Sequence, residues 1–166
     1  MRITATEELG MRLLLRLAQR HPRTVAVAEL AGDEGLTEPF AAKVVGQLRR
    51  AGLVVASRGR SGGYVLAAAP DHVTVLQVFH ALGEHLFDGG FCDRHRGEAS
   101  RGCVRQEDCA LRSVWSTLDA VVGDVLAGLT LADLVSGEAA TARQLQLRWR
   151  SRVPITTFPI PKGVSP

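Results

Sequence analysis

The segment Arg58-Gly59-Arg60-Ser61-Gly62-Gly63 is bracketed by two β-prone runs, Leu53-Val54-Val55-Ala56-Ser57 and Tyr64-Val65-Leu66-Ala67. The central glycines and serine favour a chain reversal, and the β-branched and aromatic residues on either side favour extended backbone. A short hairpin with arginines at its tip is therefore predicted. Its position just after a series of helical patterns limits the fold more than any other feature of the chain.

In the first of those patterns, Leu9, Leu13, Leu14, Leu17 and Ala18 recur at helical spacing between Thr6 and Arg20. His21-Pro22 breaks it, because proline disfavours helix in the residue before it. Val27 to Glu34 gives a shorter helical stretch that stops at Gly35. Thr37 then stands as an N-cap, with Glu38 and Pro39 in a first turn that suits both an acid and a proline. The third helix continues through Phe40, Val44, Val45 and Leu48 to Ala51-Gly52. Two helices joined by a glycine turn form a helix-turn-helix candidate, and the hairpin that follows is its wing. Glu34 is read as a solvent-accessible cap of the turn.

Thr74 to Gly83 reads as another helix, with Val75, Val78, Phe79 and Leu82 on one face. Between Glu107 and Leu129 a longer stripe returns, through Leu111, Val114, Trp115, Leu118, Val121, Val122, Val125 and Leu126. The amino-terminal module is too small to cover it, so its partner is read as the same helix in a second subunit. The fold class is thus mainly α with a small β-hairpin wing: a winged helix-turn-helix plus a long dimerisation helix. The organisation read from the chain is a DNA-binding domain over 1–84, a cysteine-bearing loop over 85–106, and a dimerisation helix with a short following helix over 107–137. Residues 138–166 form a basic, proline-containing tail, expected to be extended or disordered.

Composition bears on location and partners. The chain of 166 residues begins with carboxylates at Glu7 and Glu8 where a secretory signal would be apolar, and no run is long enough to cross a bilayer. No membrane association and a cytoplasmic location are expected, with thiols reduced or metal-bound. A net charge of +3 permits nucleic-acid binding without establishing it. The cations gather where a winged helix meets DNA, with Lys43, Arg49 and Arg50 on the third helix and Arg58 and Arg60 on the wing. A helix reads base edges in the major groove, whereas arginines on a ribbon suit the minor groove and phosphates. The candidate interface with double-stranded DNA comprises Thr37, Glu38, Pro39, Phe40, Lys43, Gln47, Arg49, Arg50, Arg58, Arg60, Ser61, Gly62, Gly63 and Tyr64. Gly62 and Gly63 would let the turn approach the DNA backbone, while Phe40 either faces DNA or packs in the core. Against this stands a solvated charged hairpin with no nucleic-acid role.

The only three cysteines, Cys92, Cys103 and Cys109, lie in a polar stretch that lacks periodicity. An odd number with no partner elsewhere argues against a disulfide framework. Their C-x10-C-x5-C spacing lacks the tight pair usual at structural zinc, and the wide intervals suit wrapping a larger object such as an iron–sulfur cluster. A zinc site, a disulfide-based switch and three plain reduced thiols remain open, as does electron transfer through a cluster. No nucleotide-binding glycine motif or catalytic triad pattern is present, so no enzyme is expected.

Met1-Arg2-Ile3-Thr4, Leu48-Arg49-Arg50-Ala51-Gly52-Leu53-Val54 and the wing Arg58-Gly59-Arg60-Ser61-Gly62-Gly63-Tyr64-Val65-Leu66 together resemble the bacterial Rrf-type winged-helix regulators. That family includes the iron–sulfur cluster assembly regulator and the nitric-oxide-sensing repressor. The resemblance runs from Met1 to about Gly137 and implies a two-fold homodimer on palindromic operators. It further implies a repressor sensing redox state, nitric oxide or cluster supply through a cluster, 2Fe–2S rather than 4Fe–4S, held by Cys92, Cys103 and Cys109. Where some relatives complete the ligand set with a histidine, this chain has Arg112. Others use a carboxylate from the opposite subunit, and Glu8 stands at that place, with His95 as the competing fourth ligand.

Overall fold

The computed structural model describes residues 3–59, 62–83, 92, 103, 105 and 107–150. Helix α1 (Ala5–Arg20) is closed at its start by a capping box: the Thr4 hydroxyl accepts from Glu7 N, and Thr4 N donates to Glu7 Oε2 at 2.6 Å. This settles two orphan donors of the first turn together. Helix α2 (Val27–Glu34) ends at Gly35 with φ of 64°, a left-handed backbone that glycine adopts without penalty. Thr37 precedes α3 (Glu38–Arg50) in extended conformation, occupying the cap position without a side-chain hydrogen bond.

The hairpin β1 (Val54–Ser57) and β2 (Gly63–Leu66) is antiparallel, pairing Val54 with Leu66 and Ser57 with Gly63. Val25 joins as a third, one-residue strand, exchanging hydrogen bonds of 2.8 Å with Tyr64 in both directions. That pairing explains Gly63: a Cβ there would stand 2.3 Å from the Val25 carbonyl oxygen. At the tip, Gly62 N donates to Gly59 O at 2.9 Å, and a Cβ on Gly62 would meet the same oxygen at 2.8 Å. The space that calls for glycine at both positions is therefore set by the protein's own backbone.

After a single 3-10 turn (Pro70–His72) come α4 (Val75–Leu82), α5 (Ala110–Ala127), α6 (Leu131–Val135) and α7 (Glu138–Arg150). The expected cysteine loop lies outside the described residues apart from Cys92, Cys103 and Arg105. Helix α7 corrects the expectation of an extended or disordered tail. Its sequence, rich in Ala, Gln, Leu and Arg, has high helix propensity, and the prolines that suggested extension begin only at Pro154. Residues 151–166 lie outside the described residues.

The core gathers on α1. Leu13, Leu14 and Leu17 are fully buried beside Val25, Leu30, Val45, Leu48, Val78 and Leu131. Each such leucine contributes about 1.5–3 kcal/mol relative to exposure. Helix α1 touches α2, α3, α4, β2 and α6, so most of the described fold is referred to this one rod.

The adjoining flank of α1, beside α2, carries an ionic seam. Arg12 Nε meets Glu34 Oε2 at 2.6 Å, Arg16 Nε pairs with Glu34 Oε1, and Arg20 pairs with Asp33. Just beyond α1, Arg23 grips both oxygens of Glu29 at 2.6 and 2.8 Å. Glu34 is therefore not the accessible turn cap expected: its side chain is only 5% exposed and is clamped by two arginines. Burial works to raise the Glu34 carboxyl, but the hydrogen bonds from Arg16 and Arg12 outweigh it and hold the group below its ordinary value. Asp33 is lowered mainly by its hydrogen bond from Arg20. Folded values below the unfolded ones mean that this stabilisation is complete at neutral pH and is withdrawn as acid carries the pH down through them. Glu34→Ala is expected to destabilise the fold by about 1.5–3 kcal/mol at neutral pH, the range for charge-assisted hydrogen bonds. The difference from wild type should shrink in urea titrations repeated at progressively lower pH.

Candidate nucleic-acid interface and thiol site

The seam sets the cations of α1 and Arg23 apart from those of α3 and the hairpin. Arg12, Arg16 and Arg20 of α1 and Arg23 just after it are ion-paired with Glu29, Asp33 and Glu34 of α2. Lys43, Arg49 and Arg50 on α3 and Arg58 at the hairpin are exposed, and among the described residues none has an acidic partner. Positive charge without a counter-ion is thereby concentrated on the helix and ribbon that a winged helix turns toward DNA.

Other members of the expected interface divide by burial. Thr37, Glu38 and Pro39 are exposed at the start of α3, together with Ala42. Phe40 is half-buried, with part of its ring packed against the core. Tyr64 also packs against the core while its backbone pairs with Val25. The Gln47 side-chain oxygen is buried with no hydrogen-bond partner among the described residues, so part of that amide is turned inward. Gly62 and Gly63 are half-buried, and Arg60 and Ser61 lie outside the described residues. The arginine seam escaped the sequence reading, although its signal was present: Arg12, Arg16 and Arg20 recur every fourth residue, and Glu29 and Asp33 repeat that interval on the next helix.

All three cysteines are unpaired thiols and each is half-buried. Cys109 heads α5 at the N-cap without a side-chain cap hydrogen bond, and its carbonyl accepts from Arg112 N at 3.0 Å. Glu8 is exposed in the first turn of α1 and its carboxylate has no partner among the described residues, whereas the neighbouring Glu7 is buried and committed to the cap. As donors, three free thiols and a free carboxylate suit a cluster or a thiophilic metal. Among the described residues no three ligand-type side chains converge within one chain. His95 lies outside them.

The family profile Rrf2, described as an iron-dependent transcriptional regulator, matches residues 3–137. The chain belongs to the Rrf2 family. It is 29% identical over 139 residues to the HTH-type transcriptional regulator IscR of Erwinia tasmaniensis, covering 83% of this chain and 81% of that one. The regulator CymR of Bacillus subtilis is 30% identical over 137 residues, 82% of this chain and 91% of its own. Among solved structures, T. potens IscR superposes with a TM-score of 0.63 at 28% identity, covering 82% of this chain and 87% of that one. CymR, the global cysteine regulator of B. subtilis, gives 0.65 at 29%, covering 82% and 97%. This Rrf2 protein is thus a winged-helix, DNA-binding transcriptional regulator, and the relatives it resembles are regulators rather than enzymes. Among the described residues no helix is long and apolar enough to cross a membrane.

Exposed cations with no acidic partner among the described residues are available to phosphate, so duplex binding is expected to weaken with salt. Replacing Lys43, Arg49, Arg50 or Arg58 singly by Ala is expected to lower affinity and to flatten log K against log salt by about 0.9 for each phosphate no longer neutralised. Fluorescence anisotropy on one duplex across a salt series measures both. Unchanged slopes for all four variants would remove this face from the interface.

Proposed function

We propose that this Rrf2 regulator is a repressor that binds a palindromic operator as a homodimer, with α3 in the major groove and the hairpin tip along the phosphates and minor groove. We further propose that Cys92, Cys103 and Cys109, with the partner subunit's Glu8, hold an iron–sulfur cluster of the 2Fe–2S kind, whose state sets operator affinity. The observation that carries the DNA half is the charge division: the cations of α1 are ion-paired, while Lys43, Arg49, Arg50 and Arg58 are exposed with no acidic partner among the described residues. The sensor half rests on three unpaired thiols placed before α5, and the family's description as iron-dependent supports iron as the metal.

When bound, such a cluster supplies a centre that changes charge on electron transfer and is lost on attack by oxidants or nitric oxide. The chain's own residues do the rest. The thiols lie between α4 and α5, so a change in how they are held bears on the start of α5. A carboxylate donated from a second copy makes the ligand set sensitive to the relation of the two subunits. Only the difference in stability between DNA-competent and incompetent arrangements shifts the population.

Homodimerisation is supported by α5. None of its residues is buried within the chain, and Leu111, Val114, Trp115, Leu118 and Val121 expose between 38% and 57% of their surface along one face. A self-complementary patch of this kind is what a two-fold interface requires. Leu118→Glu is expected to convert the dimer to monomer in sedimentation experiments and to lower operator affinity at least about tenfold, since one helix-turn-helix then reads one half-site. A dimer that survives this change would assign the subunit contact elsewhere.

One finding favours a second reading, a thiol-disulfide or zinc-based sensor on the same fold: the likeness to CymR, named the global cysteine regulator. Metal analysis separates the two. Protein purified without oxygen is expected to be coloured, with iron and acid-labile sulfide, and Cys103→Ala is expected to abolish the visible absorption. Colourless protein carrying stoichiometric zinc, or none, would overturn the cluster.

A further inference from the structure

Helix α7 lies beyond residues 3–137, the part of the chain that the family profile covers. It sits across a joint. On one side, α6 belongs to the DNA-binding head: it packs on α1 and on the 3-10 turn, and Leu131 N donates to Val73 O at 2.9 Å. On the other side is α5, whose apolar face the head leaves open. The two helices meet at Gly128-Leu129, and α7 touches both.

Its attachments fall on successive turns of one helix face. Thr141 Oγ1 donates to the Asp133 carbonyl at 3.1 Å and to the Gly137 carbonyl at 3.0 Å. One turn on, Gln144 stands beside the Asp133 carboxylate and favours its charged form, and that carboxylate accepts Thr130 N at 2.9 Å. A further turn on, the Arg148 guanidinium lies over Gly128, where a Cβ would come within 2.4 Å of its Nη1. Positions 141, 144 and 148 thus lie against α6 at one end and beside Gly128, the cap of α5, at the other, at the three- and four-residue intervals that share a helix face.

We propose that α7 is a strut that fixes the angle between the DNA-binding head and α5, with Arg148 as its positioning residue, and that this angle determines which half-site spacing the regulator accepts. The inference rests on the proposed dimer through α5. In such a dimer the heads are related by a two-fold axis, so a change of angle at Gly128-Leu129 changes the separation of the two α3 helices twice over. Half-sites on B-DNA must match that separation, and each added base pair both displaces a half-site and rotates it around the duplex. A stiff joint penalises wrong spacers; a loose one accepts them at the cost of ordering the joint on binding. Contact between α4 and α5 supports the same helix from the head, so loss of the strut relaxes the angle without detaching α5.

The test uses the full-length protein. Selection from a random duplex library with wild type supplies the paired half-sites, and duplexes with the spacer shortened or lengthened by one and two base pairs are then compared. Wild type is expected to prefer its best spacer by about tenfold or more, the scale of a mismatched base pair. Arg148→Ala is expected to compress that preference severalfold while remaining a dimer with unchanged circular dichroism. Gly128→Ala, which puts a methyl group where the guanidinium lies, should do the same, and Thr141→Ala/Gln144→Ala provides an independent release of the other end. Equal weakening at every spacer, an unaltered preference, or loss of the dimer in these variants would overturn the strut. Enrichment of single, unpaired half-sites by wild type would instead bring down the dimeric reading on which it rests.

Discussion

Burial of the α1 leucines is the interaction on which the remainder of the structure depends. Leu13, Leu14 and Leu17 are sealed from solvent by α2, α3, α4, β2 and α6, elements drawn from most of the described length of the chain. Recognition helix, wing and the root of the α5–α6 joint are therefore all positioned against one rod. A displacement of α1 cannot remain local, because close-packed interiors shift as units rather than deform. The first turn of that rod carries Glu8, and Glu7 beside it packs where a Cβ on Gly83 would stand 1.8 Å from its Oε1. The residue that ends α4, just before the cysteine-bearing stretch, is thus held against the start of α1.

Electrostatics adds a second division of labour. On the solvent side of α1, arginines at four-residue intervals are cancelled by carboxylates of α2, which ties the first helix of the helix-turn-helix to the rod and removes those charges from competition for phosphate. The cations of α3 and the hairpin have no such cancellation among the described residues. A net charge of only +3 is enough for a nucleic-acid partner when the cancellation is spatially biased in this way.

Local rules accounted for much of the fold. Gly35 ends α2 because its positive φ suits glycine, Thr37 precedes α3 where a cap residue belongs, and the Arg-Gly-rich turn joins two paired strands. Thr74 with Gln77 and Thr130 with Asp133 form capping boxes at the sequence spacing that such boxes require. Other features depended on packing between segments distant in the chain. Glu34 has the sequence setting of a turn residue, yet α1 covers it; Gly63 answers to Val25, 38 residues away by subtraction of their numbers. Phe40, Gln47 and Tyr64 sit on the helix and hairpin proposed to meet DNA, yet packing turns them partly inward. Helix α7 was obscured by prolines that lie beyond it, since a composition averaged over the whole tail hides where a helix stops.

By itself the sequence determined the succession of helices and hairpin as far as α6, the family, and the supply of thiols and cations, because periodicity, capping and turn chemistry act within a few residues and need no knowledge of what packs where. Tertiary structure alone decided which cations stay open, which glycines are required by a neighbouring backbone, and that residues 138–150 bridge α5 and α6. Those outcomes depend on distances between segments far apart in the chain, which are set by burial of a shared core and leave no local signature.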